Sequence, residues 1–171
     1  MKRKWKTSFL TNIGYSTMPA VDVIESLGRL GYEGIEWTMN PHFHPDKRLS
    51  DLRELVDRTH DAGMGVSQIM AHDDMISHDD AVRKEKIDRI VRCIHAAGEC
   101  GISAVSVVTG PAVWSSDHVR IGQDMSESAA WNQAIEAFEA FVKAADDVNI
   151  VITSEAVFGM LAHVLANSHV V

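Results

Sequence analysis

Apolar residues along this chain follow two alternating rhythms. Short runs rich in β-branched and aromatic side chains have the length and bounds of strands: "TSFLTNIG" (7–14), "YEGIEW" (32–37), "GVSQIMAH" (65–72), "GISAVSVVTG" (101–110) and "NIVITSE" (149–155). Between them lie longer stretches with helical periodicity. Val21, Ile24, Leu27 and Gly31 share one face of the first, with Pro19 at its opening turn and Gly31 at its end. Ser50 is suited to cap a second helix that buries Leu52, Leu55, Val56 and Thr59 and stops at Gly63. A third, from Asp79 to Gly98, aligns Ile87, Ile90, Val91 and Ile94. A fourth, from Ser126 to Ala145, aligns Trp131, Ala134, Ile135, Phe138, Phe141, Val142 and Ala145. After the fifth strand, Leu161, Val164 and Leu165 recur at helical spacing.

Short strands alternating with amphipathic helices predict repeated βα units around a parallel sheet, an α/β fold. No low-complexity linker interrupts the pattern, so residues 1–171 read as a single domain. Five βα units, the fifth barely begun, fit either a doubly wound sheet or the first part of a barrel, which takes about 250 residues when complete. Periodicity does not separate the two.

Composition narrows the function. A chain of 171 residues with 46% hydrophobic content can enclose one substantial core. Its net charge of −8 opposes nucleic acid and membrane surfaces, which both call for a positive field. The basic start "MKRKWK" runs into "TSFLTNIGYSTMP", too polar for a signal-peptide core, and no stretch approaches the roughly 20 apolar residues of a membrane span. A cytoplasmic protein is expected. Cys93 and Cys100 stand two helical turns apart, about 10 Å at the usual rise, too far for a disulfide. Both are expected to be buried as small apolar residues.

Parallel α/β sheets gather chemistry at the carboxyl ends of their strands. Those ends carry Asn12, Glu36 with Trp37, His72 with Asp73 and Asp74, Thr109 with Gly110, and Glu155. Glu155 is the telling one, a carboxylate closing a β-branched apolar run, where a charge is costly unless it reaches water or a partner. Nucleotide-binding signatures are missing: "NIGYSTMP" lacks the spaced glycines, and there is no GxxxxGK[ST], nucleophile elbow or CxxC pair.

The succession "LGYEGIEW", "AGMGVSQIMAH", "AAGECGISAVSVVTGP" and "SAAWNQAIEAFEAFVKAADDVNIVITSEA" resembles the xylose-isomerase-like TIM-barrel superfamily of sugar isomerases and epimerases, inosose dehydratases and apurinic endonucleases. The resemblance implies a partial (β/α)8 barrel covering the first five strands. It matches Glu155 to the family's metal-binding glutamate, which in several epimerases also exchanges the substrate proton. Glu36 falls at a frequently acidic second-strand position, His72 at a third-strand histidine that contacts substrate or metal, and Trp114 in a loop that lines the sugar pocket. Thr109 stands where the endonuclease branch places a zinc-binding histidine, which argues against a trinuclear zinc site and DNA repair. "AVFGML" after Glu155 departs from the tagatose-epimerase pattern.

The implied chemistry is a metal-dependent sugar or sugar-phosphate isomerisation or epimerisation, in which a proton beside a carbonyl moves through an enediolate. A divalent cation polarises the neighbouring oxygens and a carboxylate moves the proton. Oxygen ligands favour Mn²⁺ or Mg²⁺, and an added histidine admits Co²⁺ or Zn²⁺. The expected partner is a small sugar or polyol. A non-catalytic half-barrel that binds sugar or pairs with itself as a homo-oligomer through open sheet edges is the competing expectation. Simpler roles stand beside these. Glu155 could be a solvated strand end, and Glu36 could pair with Arg3 or Lys47. His72 could merely open an acidic loop, the His42/His44 pair of "HFHPD" is expected to face solvent, and His95 to pack beside its helix stripe. Trp131 is expected in helix-to-barrel packing, and His163 and His169 carry no reading.

Overall fold

Five strands and four helices alternate through the chain in a computed structural model that describes residues 6–163. The strands are β1 (Ser8–Leu10), β2 (Gly34–Thr38), β3 (Gly65–Met70), β4 (Ala104–Val108) and β5 (Val151–Glu155); the helices are α1 (Ala20–Arg29), α2 (Leu49–Asp61), α3 (Asp80–Glu99) and α4 (Glu127–Val148). All strands run parallel in one sheet, in the order β1-β2-β3-β4-β5. That order is the consecutive winding of a barrel. A doubly wound sheet would reverse direction at a switch point, so the topology settles what periodicity left open.

Each helix buries the stripe that faces the sheet, although two stripes are rotated from expectation. On α1 the buried residues are Val23, Ile24 and Leu27, whereas Val21 is half exposed. On α4 a line of alanines (Ala130, Ala134, Ala137, Ala144, Ala145) is buried with Phe138 and Phe141, and Ile135 and Val142 are exposed. Small side chains let α4 approach its neighbours closely, and its last residue, Val148, lies against Gly98 of α3. A Cβ built there would lie 2.6 Å from the Val148 Cβ. Bulk on α4 is therefore displaced to its flanks.

The helix ends follow the sequence in part. Asp79 caps α3 by accepting from the Ala81 and Val82 amides, and Ser126 caps α4 by accepting from Ala129. Asn149 closes α4 in the left-handed region at φ 55°. Helix α2 begins earlier than expected, with Arg48 at its N-cap instead of Ser50. The Arg48 guanidinium grips Asp51 in the first turn at 2.8 and 3.1 Å, and no side chain caps the free amides. Pro19 stands one residue before α1. Residues 156–163 form turns and bends, so Leu161 is buried in a non-helical segment whose amide bonds the Gly110 carbonyl at 2.9 Å; Val164 and Leu165 lie outside the described residues.

Strand pleating sorts the site from the core. On β2, Ile35 and Trp37 are fully buried toward the helices, and the Trp37 indole donates to Thr59 Oγ1 of α2 at 3.2 Å. Glu36 between them must face the opposite, inner side of the sheet. A β-bulge between β2 and β3 leaves Ser67 unpaired, so that Ile35 aligns with Val66 but Glu36 aligns with Gln68. Cys93 is buried and Cys100 half-buried, both as free thiols.

Candidate active site

The inner face of the sheet carries a short polar chain. Gln68 donates from Nε2 to Glu36 Oε1 at 2.9 Å, and its Oε1 accepts from the Thr153 hydroxyl of β5 at 3.0 Å. One amide thus links β2 to β5 across the concave side and fixes its own orientation by having one donor and one acceptor partner. Burial raises the Glu36 carboxyl above its ordinary pKa of 4.5. The Gln68 hydrogen bond opposes that shift, and the Glu155 charge adds to it. Gln68 went unrecognised as a site residue in the sequence. The one available signal was a glutamine within the otherwise apolar end of "GVSQIM", and the bulge that aligns it with Glu36 has no sequence signature.

At the carboxyl rim, Glu155 ends β5 and His72 follows β3 by two residues. Their side chains converge, with His72 Nε2 and Glu155 Oε2 3.4 Å apart. The His72 side chain is 7% exposed and that of Glu155 51% exposed. Burial pushes the His72 imidazole down to about 4. At neutral pH the ring is therefore uncharged, and the pair is a neutral imidazole beside a carboxylate, not an ion pair. His72 Nε2 is also buried without a hydrogen-bond partner among the described residues, the Glu155 oxygen at 3.4 Å making no bond to it. Among the described residues no arginine bonds Glu155, and its half-exposed carboxylate opens to solvent at the rim.

The remaining strand-end residues hold the loops in place. Asp73 accepts from Arg89 Nη1 at 2.9 Å and from the Asp74 amide, and the buried Asp74 accepts from the Ile76 amide at 3.0 Å. Thr109 Oγ1 accepts from the Ala162 amide at 3.0 Å, which ties the end of β4 to the segment after β5. Asn12 Nδ2 donates to Met70 Sδ at 3.8 Å. Trp114, 59% exposed, lies in the β4–α4 loop and lines a cleft of about 450 Å³ that His72 also lines. The structure thus brings His72 and Glu155 together, couples Glu36 to Glu155 through charge, and leaves Trp114 on the cleft wall.

Two simpler expectations are corrected. Glu36 does not pair with Lys47, whose ammonium bonds the Pro41 and His42 carbonyls at 2.8 and 2.9 Å; Arg3 lies outside the described residues, as does His169. His42 does not face solvent. It is 5% exposed, packs its ring at a 58° tilt against Trp37 with ring centres 4.9 Å apart, and bonds the Met18 carbonyl through Nε2 at 2.9 Å. Trp37 offers an apolar ring on the loop side of β2, and closing the loop over it buries the histidine. His44 remains partly exposed near Asp46.

A family model described as "Xylose isomerase-like TIM barrel" matches residues 24–167, most of the chain. The chain belongs to the xylose isomerase-like TIM barrel family. Its fold is shared with solved members at low identity. 3-Keto-D-glucoside 4-epimerase from E. coli superposes with a TM-score of 0.70 at 13% identity, over 96% of this chain and 61% of that one. D-Psicose 3-epimerase, solved in the presence of D-fructose, gives 0.65 at 17% identity, over 86% and 51%. A xylose isomerase-like TIM barrel protein from Mycobacterium smegmatis in complex with magnesium gives 0.66 at 17%, over 97% and 60%. The chain therefore spans about half to three-fifths of the length of these barrels. No curated protein matches it. Among the described residues of this xylose isomerase-like chain, no three His, Cys, Asp or Glu side chains are grouped to hold a metal, and no helix is long and apolar enough to cross a membrane.

Proposed function

We infer that the chain contributes the first part of a metal-dependent sugar or sugar-phosphate isomerase or epimerase site. The observation that carries this reading is the bare, buried Nε2 of His72 facing the Glu155 carboxylate. A buried ring nitrogen without a partner is costly, and a neutral imidazole beside a carboxylate is the donor set a divalent cation takes up. His72 and Glu155 would hold the ion. Mn²⁺ and Mg²⁺ suit the oxygen donor, and the imidazole also suits Co²⁺ or Zn²⁺. Two donors do not close a site, so further ligands are expected from outside the described residues.

When bound, the cation would supply Lewis acidity to adjacent carbonyl and hydroxyl oxygens of a sugar or polyol. Glu155, half exposed at the rim, would take the proton from the carbon beside the carbonyl, leaving an enediolate, and would return it. His72 stays neutral and does not compete for that proton near pH 7. Glu36, oriented by Gln68, would face the substrate from deeper in the barrel, and Trp114 would cover it from the loop side. The epimerases among the structural neighbours and the magnesium complex support this reading. The test is a thermal-unfolding series with Mn²⁺ followed by exchange of a ketose C–H in D₂O. A rise in melting temperature and deuterium incorporation, both lost in Glu155→Ala, are expected; a wild-type chain indifferent to Mn²⁺ and inert in D₂O overturns it.

A second reading, a self-associating sugar-binding half-barrel, is favoured by Val151, which is 60% exposed on the inner face of β5. A stable dimer in light scattering whose melting temperature ignores Mn²⁺ would favour it instead.

A further inference from the structure

His72 is carried by a segment without regular structure. Residues 71–79, between β3 and α3, form neither strand nor helix, and among the described residues His72 Nε2 has no partner to hold the ring. The ring's place is therefore set by packing and by the backbone beneath it. We propose that Gln133 of α4 and Arg89 of α3 are positioning residues that clamp this loop to the helix layer and so hold His72 against Glu155. The inference rests on the reading of His72 and Glu155 as the pair that holds the ion, and deepens it by naming what orients one of the two.

The first observation is a paired contact to one loop residue. Gln133 Oε1 accepts from the Ser77 amide at 3.1 Å, and Gln133 Nε2 donates to the Ser77 carbonyl at 2.9 Å. A side chain 56 residues further along the chain thus satisfies both backbone groups of Ser77, and one orientation of the carboxamide makes both bonds. The second contact adjoins the histidine itself. Arg89 Nη1 donates to Asp73 Oδ2 at 2.9 Å, while Arg89 Nη2 bonds Glu85 one turn earlier on α3. The Arg89 and Asp73 side chains are 25% and 15% exposed, so water screens this pair less than it would a surface one.

Between the two contacts the loop is stiff. Asp73 Oδ1 accepts from the Asp74 amide at 2.9 Å, Asp74 Oδ1 from the Ile76 amide at 3.0 Å, and Ser77 Oγ from the Asp79 amide at 3.1 Å. Met75 and Ile76 are buried, and a Cβ added to Gly110 at the end of β4 would stand 2.9 Å from Ile76 Cγ1. On the strand side, the Ala71 amide donates to the Ser106 carbonyl at 2.8 Å. His72 therefore stands between an anchor on β4 and an anchor on α3. A loop whose amides are bound this densely passes the position of its anchors on to the residue it presents.

The experiment is diethylpyrocarbonate labelling of the full chain at pH 7, mapped by mass spectrometry, followed by calorimetric titration with Mn²⁺. Gln133→Met keeps the side-chain length and removes both bonds, Arg89→Met removes the Asp73 contact, and Arg89→Lys keeps a cation for it. His42, 5% exposed in the β2–α2 loop, is the internal control: release of the β3–α3 loop frees His72 alone, whereas general loosening frees both. Each methionine variant is expected to label His72 roughly five-fold faster with His42 unchanged, and the double variant faster than either. Arg89→Lys is expected to stay nearer wild type than Arg89→Met. The Mn²⁺ dissociation constant is expected to rise about ten-fold in each methionine variant. With Mn²⁺ binding to wild type intact, protection of His72 in the methionine variants, release of His42 together with His72, or an unchanged dissociation constant each overturns this inference alone. A wild-type chain that takes up no Mn²⁺ overturns the isomerase reading, and with it the clamp's role at an ion site.

Discussion

Keeping His72 neutral inside the fold ties stability to pH in a way that can be measured. Burial lowers its imidazole from the ordinary 6.5 to about 4. The unfolded chain takes up a proton near 6.5, while the folded chain refuses it until much lower. The stability is therefore complete above pH 6.5, and it is lost as the pH falls toward 4. A shift of that size corresponds to about 3 kcal/mol in full, of which about 2 kcal/mol is already lost at pH 5. The Glu155 carboxylate at 3.4 Å pulls the other way, but it is half exposed and water screens it, so burial wins. His72→Gln removes the titrating ring and retains much of its shape. Urea unfolding followed by far-UV circular dichroism at pH 7.5, 6.5 and 5 should show wild type losing about 2 kcal/mol more than the variant across that range. The burial-lowered His42 and the burial-raised Glu36 titrate in both chains and cancel in the difference. Parallel stability profiles for the two chains would refute the reasoning and place His72 in contact with water.

Gly98→Ala sets a helix-propensity gain of about 1 kcal/mol against overpacking of roughly 1–3 kcal/mol. The clash is with the Val148 Cβ at 2.6 Å, which no rotamer change relieves, so net destabilisation is expected in urea; an unchanged midpoint would mean that α3 and α4 part freely. Gln68→Leu strips Glu36 of its donor and leaves the Thr153 hydroxyl only the longer contact to the Val105 carbonyl at 3.5 Å, costing about 1–3 kcal/mol near neutral pH. Because the Glu36 pKa then rises further, the deficit should shrink as the pH falls and the carboxyl protonates; a deficit constant from pH 7 to 5 would contradict this. Burial raises the thiols of Cys93 to about 12 and Cys100 to about 11, so a thiol reagent at pH 8 should label neither quickly until denaturant is added. Rapid labelling of Cys93 in the native protein would refute its burial.

The alternation of strand and helix, the positions of all five strands and the starts of α3 near Asp79 and α4 near Ser126 were legible in the residues, because period and turn glycines are local properties, whereas the cap expected at Ser50 fell instead at Arg48. So was the placement of Glu155, since a carboxylate ending a β-branched run must emerge at a rim. Which face each helix buries was only partly legible. Val21, Ile135 and Val142 are as apolar as the residues that won, and packing distance selected alanines over them on α4. His42 shows the same limit, since an extended loop histidine became buried only when Trp37 offered it a surface. The partnership of His72 with Glu155, the alignment of Gln68 with Glu36 through an unpaired Ser67, and the bond from Thr153 to Gln68 join residues as many as 85 positions apart. Those relations depend on strand order and register, which are set by how the whole sheet curves and not by any one segment, and so only the tertiary structure could decide them.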